Sequence, residues 1–137
     1  MARAEYKLPD DFLDAIARLE SRTDEIVPRV LEAGGQVVLE EVRRNLHSVL
    51  SGESTGELEG ALGLAPARID RQGNWNAKVG FDEPRSDGES NAKLANILEF
   101  GKHGQPPRPF LKPAKSAARG PAIEAMKRKL ESEIDGL

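Results

Sequence analysis

The stretch from Leu94 to Ala114 constrains this chain more than any other. It reads Leu-Ala-Asn-Ile-Leu-Glu-Phe-Gly-Lys-His-Gly-Gln-Pro-Pro-Arg-Pro-Phe-Leu-Lys-Pro-Ala. A short apolar helical run ends in Glu99-Phe100-Gly101. A polar loop follows, then three prolines around Arg108. Proline fixes φ, and the residue before it is pushed toward extended backbone. Residues 105–109 are therefore a stiff strut that places Phe110 and starts a last helix near Pro113, since Pro suits a first helical turn. Phe110 is expected as a buried anchor, against the long helix or a neighbouring subunit. Glu99, beside Gly101, is expected to accept backbone N–H groups of the turn or to pair with Arg108.

The rest of the chain supplies the partners. Residues 1–9 read as a flexible arm, and residues 10–137 as a single domain. Asp10 or Asp11 can cap a helix that carries Phe12, Ile16 and Leu19 at i, i+4 and i+7. A longer helix is predicted over about residues 24–50, with Pro28 tolerable near its start. Its apolar stripe is interrupted by Gly34-Gly35, which marks a kink or a close helix approach. Ser54 and Glu57 match a capping box. Residues 62–70 form a strand candidate demoted by Pro66. Residues 74–81 alternate Trp75, Ala77, Val79 and Phe81, the best strand in the chain, with residues 71–74 as the hairpin turn. Residues 82–90 are a polar loop, expected to be exposed and loose until assembly. Ser90 can cap a short helix with Leu94, Ile97 and Leu98. The last helix is expected to break or bend at Gly120-Pro121.

A two-stranded hairpin alone is marginal, so a third strand near residues 104–110, or one from a neighbour, is expected to complete the sheet. The fold class is α+β: a small antiparallel sheet packed by a long N-terminal helix and a C-terminal helix. Aromatic residues are only 4% of the chain, so the core must be aliphatic. No cysteine is present, which removes disulfides and Cys-ligated zinc. No apolar run approaches the length of a membrane span.

Net charge is −3 and uneven. Residues 1–60 hold 13 acidic and 7 basic side chains, and residues 100–137 hold 4 and 8. A mildly acidic total argues against a dedicated nucleic-acid binder. Opposite-sign ends suit stacked or head-to-tail subunits; solvated helix faces explain them equally. Lys102, His103, Arg108, Lys112, Lys115 and Arg119 form the one basic concentration. It lacks interleaved aromatics apart from Phe110, which weakens single-strand binding. Subunit docking is the favoured use, because Phe110 and Leu111 lie within it.

Other chemistry is thinly represented. Gly52-Glu53-Ser54-Thr55-Gly56 fits the G-x-S-x-G spacing, but a nucleophile elbow needs a strand before it and here a helix precedes. Only His47 and His103 could serve as base. Neither histidine has metal-ligand spacing. No catalytic residue, metal or cofactor is assigned.

The segment resembles the A-x-x-x-E-F-G … R-P-F-L-x-P-A signature of neck, head–tail joining and tail-completion proteins of long-tailed double-stranded-DNA bacteriophages. Ala95, Glu99, Phe100, Gly101, Arg108, Pro109, Phe110, Leu111, Pro113 and Ala114 carry the match. Thr55-Gly56-Glu57-Leu58 looks like the family's T-G-x-L element, with Ala61 where Ser is more usual. Val79-Gly80 looks like its V-G strand. Lys102-His103 departs from the family's usual Thr and longer loop. The resemblance implies a structural virion protein, not an enzyme. It implies a homo-oligomeric ring at the head–tail junction, assembled in the host cytoplasm. The partners it implies are the chain itself, a head-closure or connector protein and the tail-tube protein. The resemblance also implies that double-stranded DNA passes through the channel without sequence recognition and that no membrane is involved. Arg108, Phe110, Leu111, Lys112 and Lys115 are the expected interface residues. Thr55, Gly56, Leu58, Glu99, Phe100, Gly101, Pro109 and Pro113 are the motif positions. The alternative is a cytoplasmic nucleic-acid-binding accessory protein that uses the basic cluster from Lys102 to Arg119.

Overall fold

A computed structural model describes residues 10–50, 56–83 and 85–137. The expected arm at residues 1–9, Ser54 with its capping and nucleophile readings, and the motif position Thr55 lie outside the described residues. Among the described residues the elements in order are α1 (Asp10–Ser21), α2 (Thr23–Val49), α3 (Glu57–Ala61), β1 (Leu62–Leu64), β2 (Arg68–Ile69), β3 (Trp75–Asn76), β4 (Val79–Phe81), α4 (Asn91–Phe100) and α5 (Leu111–Asp135). The architecture is α+β, with a small antiparallel hairpin packed by the long helix and the C-terminal helix.

The scaffold is the pair α2 and α5, far apart in sequence and antiparallel in space. Asn45 lies beside Phe110, Gly34 beside Met126, and Arg29 beside Glu133, where the ion pair spans 3.0 Å. Small residues bring the helices together. Ala114, Ala118 and Ala122 are buried on α5. On α2, a Cβ at Gly34 would stand 2.6 Å from Met126 Cγ, and one at Gly35 2.7 Å from Leu64 Cδ1. Gly34-Gly35 therefore serves close approach, to α5 on one side and to β1 on the other. That contact offsets the roughly 1 kcal/mol each mid-helix glycine costs.

α5 is one continuous helix, not two halves broken at Gly120-Pro121. Pro121 cannot donate to the carbonyl of Ala117, but Ala117, Gly120 and Pro121 are all exposed, so water can satisfy that carbonyl. Ala118 and Ala122 on the opposite face stay packed. Packing on both sides of the proline outweighs its local cost.

Among the described residues there are two sheets, each of two strands. β1 pairs with β4 (Leu62 with Phe81, Leu64 with Val79), and β2 with β3 (Arg68 with Asn76, Ile69 with Trp75). Between the two ladders, residues 65–67 oppose residues 77–78, so β1–β2 carries one extra residue around Pro66. Ala65 still donates to Lys78 O at 2.9 Å, and Glu32 of α2 accepts Ala67 N–H at 3.3 Å. The turn is held by the Asp70 carboxylate, which accepts N–H groups from Gln72 and Asn74, with Gly73 at φ 82°. No third strand comes from residues 104–110. Gln105 makes only a local bridge to Lys102. Stability comes instead from α2 and α5 behind the hairpin: Leu39, Val42, Leu46, Leu58, Leu62, Ala95, Leu98, Phe110 and Ala114 form one core.

The loop at residues 82–90 is exposed but tied down. Glu83 accepts N–H groups from Asn91 and Ala92 at the start of α4, and Glu57 accepts the Ser86 N–H and hydroxyl. Asn91, 2% exposed, donates to Asp82 O and accepts from Arg85. Ser90 Oγ accepts from Lys93 N–H and caps α4 as the sequence predicts.

The close approach at Gly34 yields a stability prediction. Gly34→Leu should cost about 1–3 kcal/mol by overpacking. The same change made in a Met126→Ala background should cost clearly less, because the obstructing atoms are gone. Urea denaturation of the four proteins measures this; equal cost in both backgrounds would rule out the contact.

Candidate functional site

The Glu99–Ala114 segment ties the ends of three helices together. α4 stops at Phe100 because Gly101 takes φ 77° and its N–H closes on Ile97 O. A Cβ there would also lie 2.8 Å from Gln105 O and Pro107 N, so both conformation and space demand glycine. Lys102 and Gln105 exchange two backbone hydrogen bonds of 2.9 Å, with Gly104 at φ 80° turning the chain. The strut then runs back across the ends of α4 and α2. Arg108 N–H donates to Leu98 O at 2.7 Å, and its guanidinium Nη1 donates to Val49 O at 3.0 Å. That places a cation at the C-terminal, negative end of α2.

Phe110 is completely buried. Its ring meets Phe81 edge-on, with centroids 6.3 Å apart and planes at 75°. Its carbonyl accepts from Asn45 Nδ2. Directly beside it, Glu99 is 5% exposed. Its Oε1 accepts the N–H groups of Phe110 (2.8 Å) and Leu111 (2.7 Å), and its Oε2 that of Lys112 (3.1 Å). Glu99 thus caps the start of α5. It neither pairs with Arg108 nor caps the Gly101 turn. Burial pushes this carboxyl up, but the amides of Leu111, Phe110 and Lys112, with the Lys112 ammonium, pull harder and hold it below its ordinary value. Pro113 falls in the first turn of α5, where its missing N–H is no loss.

The predicted site residues therefore divide. Phe110 and Glu99 serve the chain's own interior, and Leu58 joins the same core. Gly101 forms the turn and Gly56 starts α3 at φ 80°. Leu111 is half-buried, while Arg108, Pro109, Lys112, Pro113 and Lys115 are exposed. Phe100 is 75% exposed, the most open of the large apolar side chains among the described residues. It borders an open apolar groove of about 890 Å³, lined by Val38 and Val42 of α2, Val79 of β4 and Leu111. Lys78, Lys112 and Lys115 also line it, and none of the three makes an ion pair to a carboxylate within 4.0 Å among the described residues. The sequence reading missed this groove and Lys78. One signal was available: Phe100 sits about 200° around α4 from Leu98, off the buried stripe.

His47 Nδ1 lies 3.0 Å from Glu59 Oε1, and His103 is exposed in its turn. Among the described residues, no group of three or more His, Asp or Glu side chains could hold a metal ion, and no helix is long and apolar enough to cross a membrane.

Glu99 gives a prediction with a pH signature. Glu99→Gln removes the charge and leaves an amide against buried N–H groups, so it should cost about 3 kcal/mol at pH 7. The wild-type carboxyl is depressed in the folded state. Its contribution is therefore present above the ordinary value of 4.5 and is lost as pH falls through the lower folded value. The stability gap between wild type and variant should narrow in acid. Urea denaturation from pH 7 to pH 2 reads it; a constant gap would contradict the cap.

A family model described as "Bacteriophage HK97-gp10, putative tail-component" matches residues 10–101, about two-thirds of the chain. The chain belongs to this family. The match takes in Gly56–Leu58, Val79-Gly80 and Glu99-Phe100-Gly101, and ends before Arg108. Comparisons with curated proteins and with solved structures gave no match.

Proposed function

We propose, from the chain's membership of a phage tail-component family, that it is a non-catalytic virion protein of the head–tail junction. In this reading several copies form a ring around the DNA channel, between a head-closure protein and the tail tube. The observation that carries the proposal is the family match over residues 10–101. The architecture supports it. A ring subunit needs a stiff body with surface left over for neighbours. Here the α2–α5 pair and the Glu99 cap supply the body. An apolar groove with an exposed aromatic supplies a neighbour site. The acidic excess of residues 1–60 suits an inner wall that lets DNA slide, because like charge does not grip phosphate.

Particle assembly without this chain tests the reading. Lysates should contain filled heads and finished tails that do not join, and electron microscopy of complete virions should place the chain in a ring at the joint. Ser54→Ala, His47→Ala and His103→Ala should each leave infectious particles. Loss of infectivity from Ser54→Ala with the ring intact would favour an enzyme instead. Tight duplex-DNA binding by the free chain, with a steep salt slope, would favour the nucleic-acid accessory reading.

A further inference from the structure

The strand that ends in β4 is paired on one side only. Lys78 O accepts from Ala65 N–H, Gly80 stands opposite Gly63, and Asn76 opposite Arg68. Main-chain groups of a strand alternate between its two edges. Those of Ala77 and Val79 therefore point away from β1, and none of them has a hydrogen-bond partner among the described residues. Such an edge is a template for another strand.

This edge borders the groove. Ala77, Lys78 and Val79 line it together with Leu111 and Lys115 of α5 and with Val38 and Val42 of α2, on which both β4 and α5 pack. No residue of β1 lines it, so the groove lies on the open side of β4. Phe100 stands beside it, 75% exposed. The charge around it has one sign. Lys78, Lys112 and Lys115 are exposed and have no ion pair among the described residues. Glu99, the one carboxylate, is committed to three amides of α5. An unpaired main-chain edge, apolar walls and a cationic rim together fit an extended chain that carries apolar side chains and carboxylates. A helix satisfies its own main chain and would leave the edge unpaired.

The chain's own remaining segments do not match. Residues 1–9 carry Arg3 and Lys7 against Glu5, and residues 51–55 hold no large apolar side chain. Residues 82–90 are rich in acids but are tied to Glu57 and Glu83. We propose that the groove takes an extended, acidic segment of a different protein, added as a strand to the edge at residues 77–79. Its main chain bonds Ala77 and Val79, its apolar side chains lie on Val38, Val42 and Leu111, and its carboxylates meet the three lysines. It supplies the third strand that residues 104–110 do not. This goes beyond the ring reading, because the site needs no second copy of the chain.

Titration of the isotope-labelled full-length chain with the blocked peptide Asp-Asp-Val-Thr-Val-Thr-Val-Asp-Asp, followed by NMR, tests it. The amide signals of Ala77 and Val79 should shift, and their hydrogen exchange should slow about tenfold or more at saturation. Affinity should fall at high salt. Replacing the Asp residues of the peptide by Lys should weaken binding about tenfold or more, and K78E/K115E should reverse that preference. Lys112 is left alone because its amide bonds Glu99. Methylating the Val nitrogens or the Thr nitrogens of the peptide should differ in effect about tenfold or more, because alternate amides of a strand face opposite edges. If K78E/K115E fails to fold, the Lys peptide carries the charge test. No binding by the wild type, equal effects of the two methylation patterns, or shifts confined to other parts of the chain would overturn the site. Self-association that the peptide abolishes would seat a second copy on the edge and overturn the choice of partner. The particle assay is separate: heads and tails that join without the chain would sink the head–tail reading and leave this site standing.

Discussion

The structure turns on one carboxylate. Phe110 is fully buried, so the first amides of α5 open toward the protein's interior and not toward water. Left unpaired, each would cost about 1–3 kcal/mol. Glu99 satisfies three of them. Its position carries a local penalty, because an anion at the C-terminal end of α4 meets the negative pole of that helix, worth about 0.3–1 kcal/mol. The positive pole of α5 and three charge-assisted hydrogen bonds, about 1.5–3 kcal/mol each, outweigh it. The carboxylate therefore belongs to α5 although it is carried by α4, and it fixes the angle between the two.

The remaining elements depend on that junction. The hairpin has ladders of three and two residue pairs, too small to persist unaided. Its Phe81 leans on Phe110, and its Leu62 and Leu64 pack on α2 and the core. Arg108 closes the end of α2 from the same strut. With few aromatics available, the α2–α5 pair relies on nearness, through Gly34 and the buried alanines of α5, so that many weak contacts replace a few large side chains.

Local rules made much of this legible in the sequence. The periodic stripe of α2, the Ser90 cap, the Asp70–Asn74 turn and the alternation from Trp75 to Phe81 all follow from neighbours within a few residues. The misses share a cause: each depended on a distant partner. Pro121 reads as a helix break until Ala118 and Ala122 are seen packed in the interior. Glu99 had the right chemistry, acceptance of backbone amides, but the amides belong to residues 110–112 and not to the adjacent turn. The polar loop at residues 82–90 is exposed as its composition predicts, and the hydrogen bonds that Glu57 and Glu83 make to Ser86 and Asn91 could not be read from the sequence, because Glu57 is carried by α3. The groove was invisible for the same reason, since Val38, Val79 and Leu111 come from three separated elements.

The Glu-Phe-Gly triplet joins the interior to the surface. Consecutive helical side chains point about 100° apart, so a Glu99 held inward by three hydrogen bonds turns Phe100 outward. Gly101 then ends the helix at once, and the next residue cannot cover the ring by extending α4. A buried cap, an exposed aromatic and a compulsory glycine are thus consequences of one geometry. In the proposed groove contact this matters energetically. A side chain presented by a rigid backbone loses less conformational freedom on docking than one carried by a mobile loop, and that cost runs to about 0.5–1.5 kcal/mol for each ordered side chain. The same hydrogen bonds that hold α5 in place therefore prepare Phe100 for a partner.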